Sequence, residues 1–424
     1  MRITLLALLA AKTLAHVSVA SRALSLSLHS TTAAILLLSY AQSIAAVKDD
    51  YFDDEDEDDP FAEMEREMDA SHYEDNEDSH LVIDLDPSEV VKNHERYDQK
   101  NAHTRGLDTP VLAYITPWNN HGYDVAKFFR GKFTHLSPVW YHVKPNGRAV
   151  GQFDLSGAHD VDQGWIKEVT APVETANGET MTPKMVPRFI IEGFAKEDLI
   201  ALSEQKEHGD AIAKMIVAEC KKQKHDGFVL EFVYSAYTPL FVSALSRAAK
   251  KADLQFFLVI PPSHPAIQNT LFGPEHFNAY KNLVDGFSLM TYDYSTFENP
   301  GPNSPLPWVI KNVLRLCPDA TKDRSKILVG LNMYGNNYSP EEGHATVLGR
   351  DYVKALALLE PAIVWDDKFA EHRFSYKTQS GARHDVWYPS VTSIQARVEV
   401  IRELGAGVSL WEIGQGLDYF YDLF

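Results

Sequence analysis

The chain has 424 residues, of which 45% are hydrophobic, and a formal net charge of −19; that is enough apolar material for a sizeable core without disulfide support. The charge is local, because Lys48 to Asp86 holds 19 acidic and two basic residues, a net of −17 that leaves −2 for everything else. A near-neutral remainder with no basic patch or Arg-rich stretch argues against a nucleic-acid partner, and two distant cysteines, Cys220 and Cys317, are too few for a disulfide framework.

In chain order, Met1-Arg2 leads into an apolar run from Ile3 to Ala11, and a second run covers Ala33 to Tyr40. Neither reaches the roughly 18 apolar residues of a spanning helix. Small residues follow at Ser43, Ala45 and Ala46, so residues 1–46 read as a signal peptide or targeting segment, which implies the secretory pathway. A retained single-pass anchor is the alternative. Residues 47–107 have few periodic apolar positions and a dense acidic block, Asp53 to Asp59; such a segment buries too little surface to offset ordering and is expected to be a disordered linker.

From Val111 the texture changes. Eight short β-rich apolar runs follow: Val111–Ile115, Phe133–Trp140, Val186–Ile191, Gly227–Phe232, Gln255–Ile260, Gly286–Met290, Ile327–Leu331 and Gly407–Trp411. Helical patterns lie between most of them, such as Phe241, Ala244, Leu245, Ala248 and Val391, Ile394, Val398, Ile401. Cys220 falls on the apolar face of another, with Ile212, Met215 and Ile216, as a buried thiol would. Strands that are apolar on both faces, alternating with amphipathic helices, indicate a parallel sheet covered by helices. Eight such units over residues 108–424 predict an α/β fold, a (β/α)8 TIM barrel. A small α+β insertion is expected between strand seven and the last helix, at about 338–387. A doubly wound open sheet is the alternative that periodicity leaves standing.

In such a barrel the active site forms at the C-terminal ends of the strands. Those ends are rich in aromatic residues here: Tyr114 and Trp118 after strand one, Trp140 after strand two, Tyr292 after strand six and Trp411 on strand eight. Sugar rings present flat C–H faces that stack on aromatic surfaces with a polar edge, so the set suggests a carbohydrate groove, although each ring alone is compatible with ordinary packing. Strand four carries the informative charge. Its period of two puts Val229, Glu231 and Val233 on the lumen side, which places the Glu231 carboxylate in a mostly apolar interior, costly unless it is paired or neutralised. Tyr292 or a bound amide would serve as its partner, with a carboxylate satisfied by a core hydroxyl as the alternative. No paired histidine spacing points to a metal site, and no cofactor is expected.

These residues resemble glycoside hydrolase family 18, the chitinases and chitinase-like lectins. The resemblance covers about Asp108 to Phe424 and rests on Tyr114–Trp118, Asp226-Gly227, Met290-Thr291-Tyr292-Asp293 and Trp411. Two longer stretches, Phe133–Trp140 and Gly407–Leu417, resemble a chitinase-like branch of the family. That resemblance implies secretion or lysosomal residence and, in animals, association with a scavenger-type receptor. Active members of the family carry D-G-x-D-x-D-x-E on strand four; the last Glu protonates the glycosidic oxygen and the preceding Asp orients the substrate's own N-acetyl group. Here Val229 and Glu231 replace the two inner Asp residues, Val233 stands where the acid should be, and the S-x-G-G pattern of strand three degrades to Ile190-Ile191-Glu192-Gly193.

Glu231 is the one remaining candidate acid, yet it lies two residues lower, about 6.6 Å along the strand, whereas proton transfer needs heavy atoms within roughly 2.6–3.2 Å. What the resemblance preserves is binding: Tyr292 and Asp293 would hydrogen-bond the sugar, Trp411 would floor its subsite, and Tyr114, Trp118, Trp140, Glu231 and Met290 would surround it. The expected function is a chitinase-like lectin for chito-oligosaccharides or other N-acetylglucosamine-containing glycans. A weak hydrolase using Glu231 and a receptor- or cargo-binding scaffold are the alternatives.

Overall fold

The computed structural model describes residues 83–147, 150–174, 178, 180–266 and 271–424. The expected signal peptide and most of the acidic segment lie outside the described residues. Eight parallel strands form the body: β1 Val111–Ile115, β2 His135–Pro138, β3 Arg188–Ile191, β4 Gly227–Glu231, β5 Gln255–Ile260, β6 Gly286–Leu289, β7 Ile327–Asn332 and β8 Gly407–Trp411. The pairing runs in sequence from β3 to β8, then from β8 to β1 and from β1 to β2.

Closure uses two broken strands. The short strand Lys184–Met185 pairs with β2, while β3, which follows it across Pro187, pairs with Tyr141–Pro145, the continuation of β2. The sheet is thus a closed barrel, and the open-sheet alternative is set aside.

Its lumen is packed. Leu112, Tyr114, Val139, Val186, Val229, Phe257, Val259 and Leu328 form one buried cluster, with Met290 and Trp411 half-buried against it. The covering helices follow their apolar stripes. Helix Val391–Leu404 buries Ile394, Val398 and Ile401, begins at Ser390, whose side chain accepts from the Ser393 N–H, and ends at Gly405 with φ 68°. Cys220 is fully buried on helix Lys206–Gln223, and both cysteines are free thiols. Among the described residues no helix is long and apolar enough to cross a membrane.

Between β7 and helix Val391–Leu404 lies a five-stranded antiparallel sheet in the spatial order Gly343–Val347, Gly335–Ser339, Arg383–Trp387, Glu371–Lys377, Val364–Asp366. With helix Gly349–Leu359 it forms the expected insertion, starting three residues earlier than the sequence pattern indicated.

The expected linker needs a correction. Residues 83–107 are built onto the barrel: helix Pro87–Asn93, capped by Asp86, buries Val90 and packs on helix Gly349–Leu359. The Ile83 carbonyl contacts His372 Nε2 at 2.9 Å, and the Gly106 N–H donates to the Phe424 carbonyl at 3.0 Å. Tyr97 packs edge-on to Phe129 at 4.7 Å. A few apolar anchors and backbone hydrogen bonds to the C-terminal residues hold this strap, without the periodic stripe that a sequence scan detects.

Candidate functional site

The lumen mouth brings together residues from β1, β3, β4, β6 and β8. Glu231 ends β4, its side chain 30% exposed, and Arg188 of β3 donates from Nη1 to Glu231 Oε2 at 2.7 Å. The Arg188 side chain is 7% exposed, and its guanidinium carbon lies 5.9 Å from the centroid of the Trp411 ring. Trp411 in turn meets Tyr114 edge-on at 5.2 Å. The Tyr114 hydroxyl donates to Ser288 Oγ at 2.9 Å, and Ser288 Oγ to Ser409 Oγ at 3.2 Å. Burial among these groups pushes the Tyr114 hydroxyl up. Tyr114 is therefore floor support, its polar end already engaged beneath the site.

Tyr292 stands differently. It is half-buried, its ring 6.3 Å from that of Tyr334, with no hydrogen-bond partner for its hydroxyl among the described residues. Burial pushes this hydroxyl well up, so it remains a neutral donor. Beside it Asp293, with φ 60°, is exposed at the lip. Desolvation raises its carboxyl, while the Tyr334 hydroxyl, which donates to Oδ1, opposes the rise. The Asp293 N–H donates to Asn303 Oδ1 at 2.7 Å.

That asparagine is anchored from behind. Glu371, from the insertion, accepts from the backbone N–H groups of Asn303 at 3.0 Å and Ser304 at 2.6 Å, and pairs with Arg397 at 3.2 Å; both charged residues are buried. Neither Glu371 nor Arg397 carries a sequence motif.

Of the remaining sequence-derived residues, Met290 packs at the lumen edge and Trp118 is 67% exposed beyond β1. Trp140 is withdrawn from the set. It is fully buried on the outer side, its Nε1 donating to the Tyr123 hydroxyl at 2.8 Å and its ring 5.9 Å from that of Trp165. Val139, its neighbour, takes the lumen position instead. Val233 lies just past β4 and is 44% exposed, so the position of the family's acid faces solvent with an apolar side chain. Glu192, in the degraded strand-three pattern, is tied to Lys144 at 2.8 Å and His142 at 2.7 Å, contacts that hold its carboxyl low, Lys144 most of all.

Glu412 was not anticipated. It is fully buried, accepting from Asn119 Nδ2 at 2.6 Å and from the Gly414 N–H at 2.8 Å, and so fastens the loop after β1 to the loop after β8. Burial pushes its carboxyl up to about 7, with Asn119 and Gly414 opposing. A carboxyl raised above its unfolded value favours folding at low pH, and that contribution is lost as pH rises through the folded value. Relative to Glu412→Gln, the wild type is expected to lose on the order of 2–3 kcal/mol of stability between pH 5 and pH 8. Urea unfolding at both pH values checks this; a difference independent of pH would contradict it.

The chain matches the family described as Glycosyl hydrolases family 18 over residues 111–416 and belongs to it. The Cortical fragment-lytic enzyme of Bacillus anthracis is 26% identical over 274 residues, 59% of this chain and 62% of that protein. This chain thus spans less than two-thirds of that relative's length. Among solved structures, the chitinase from Chromobacterium violaceum ATCC 12472 superposes with a TM-score of 0.60 at 18% identity, covering 74% of this chain and 97% of its own. The Bacillus megaterium QM B1551 spore cortex-lytic enzyme SleL gives 0.59 at 20%, covering 76% and 73%. At those identities the likeness concerns the fold alone.

Proposed function

We propose that the barrel is a chitinase-like lectin that binds N-acetylglucosamine-containing oligosaccharides, chito-oligosaccharides among them, without cutting them. The observation that carries this reading is the 2.7 Å contact from Arg188 to Glu231. A carboxyl that accepts a guanidinium N–H at that distance is placed as a hydrogen-bond acceptor, whereas the acid of this chemistry must donate a proton to the glycosidic oxygen. Val233, at the family's acid position, has no proton to give.

The binding groups are complementary to an acetamido sugar. Glu231 accepts from the amide N–H, the Tyr292 hydroxyl donates to the amide carbonyl, and Trp411 supplies the stacking face. Calorimetric titration of the mature protein with chitotetraose tests the reading: a saturable isotherm is expected, and the absence of binding at millimolar ligand would overturn it.

A second reading, a weak glycoside hydrolase using Glu231, draws support from the names of the relatives, which include a chitinase and lytic enzymes. It requires Glu231 to leave Arg188 and rise toward the scissile bond. Within the family, the stretches Phe133–Trp140 and Gly407–Leu417 support a place beside chitinase domain-containing protein 1, a branch linked in animals to a scavenger-type receptor. With the N-terminal apolar runs, they support passage through the secretory pathway to a secreted or lysosomal destination.

A further inference from the structure

The inner carboxylate of strand four has changed its partner. In the family pattern the residue two positions before the orienting carboxylate is itself an Asp; here that residue is Val229, fully buried in the lumen cluster. Arg188 is level with Val229 in the β3–β4 register, and Ile190 is level with Glu231. Arg188 therefore enters the lumen one layer below Glu231 and reaches up to it.

We propose that Arg188 is a positioning residue that replaces the missing inner Asp as the partner of Glu231 and fixes Glu231 as a permanent acceptor for the amide N–H of a bound sugar. This rests on the lectin reading. Two neighbouring carboxyl groups can share a proton, so either can switch between donor and acceptor. A guanidinium is a donor throughout the range in which proteins fold. Paired with it, Glu231 has one role only.

The burial of Arg188 points to that electrostatic role over simple packing. Its side chain is 7% exposed, its Nη1 is engaged by Glu231, and its Nε has no hydrogen-bond partner among the described residues. A guanidinium with an unsatisfied N–H is costly to keep among apolar side chains, and Leu or Met would fill the same space without that cost. The guanidinium carbon also lies 5.9 Å from the centroid of the Trp411 ring.

Two groups with titratable hydroxyls face the pair, Tyr114 from β1 and Tyr292 after β6. The Tyr114 hydroxyl is engaged by Ser288.

The test is a double-mutant cycle on the dissociation constant for chitotetraose at a single pH, with wild type, Arg188→Gln, Arg188→Lys, Glu231→Ala and the double variant Arg188→Gln/Glu231→Ala. Arg188 acts through Glu231, so Arg188→Gln is expected to weaken binding about tenfold when Glu231 is present and less than about twofold when it is Ala. Arg188→Lys keeps a cationic donor and should lose less than Arg188→Gln.

If Arg188→Gln does not fold, Arg188→Lys carries the same cycle, with the larger loss again expected when Glu231 is present. Binding by wild type with equal losses from the Arg188 substitution in both backgrounds overturns this inference alone. No binding by wild type overturns the lectin reading and this inference with it.

Discussion

Trp411→Ala is expected to weaken chito-oligosaccharide binding by about thirtyfold to hundredfold, equivalent to roughly 2–3 kcal/mol, while leaving the barrel folded. One face of an indole covers on the order of 100 Å² of a sugar ring, and apolar burial at about 25 cal/mol per Å² gives that range. Trp411 is half-buried, supported from below by Tyr114 and approached by Arg188, so a fixed ring is presented to the ligand without first having to be ordered. Far-UV circular dichroism would verify the fold, and titration with chitotetraose would measure the loss. An affinity unchanged by the substitution would remove Trp411 from the site.

The second large effect concerns stability. Arg397→Met is expected to cost about 3–5 kcal/mol, because it strands the buried Glu371 carboxylate without its cation. Burial already pushes the Glu371 carboxyl up, with Arg397 and the N–H groups of Asn303 and Ser304 opposing. Adding Glu371→Gln to Arg397→Met should recover part of the loss, since no buried charge then remains unpaired. Urea midpoints of wild type, the two single variants and the double variant close the cycle. Independent, additive losses would contradict a coupled pair. The same network holds Asn303, which fixes Asp293 at the lip, so Arg397→Met should also weaken glycan binding.

The barrel was legible because strands buried on both faces read as continuous apolar runs, and all eight were found in their places. The insertion was legible from the long gap before helix Val391–Leu404. Residues 83–107 were not, because their order comes from a capped seven-residue helix and from backbone bonds to distant residues such as Phe424. Trp140 shows the limit of listing aromatics at strand ends. Alternation puts Val139 inside and Trp140 outside, a parity that the run through Pro138 made easy to pass over.

Arg188 could have been found the same way, as the one charged residue at an inner position of the run Val186, Arg188, Ile190. Glu412 is adjacent to Trp411 and was visible as a residue, but its fully buried carboxyl depends on Asn119, which lies 293 positions away. No local pattern encodes such a contact. Glu371 and Arg397 were hidden for the same reason.

The central claim, binding without cleavage, is tested most directly by incubating chitotetraose with wild type and with Glu231→Gln and following shorter oligosaccharides by mass spectrometry over a day. The account predicts intact tetraose with wild type, at a level indistinguishable from the Glu231→Gln variant and from buffer. Shorter products that form with wild type and vanish with Glu231→Gln would show that Glu231 leaves Arg188 and delivers the proton, and the protein would then be a hydrolase.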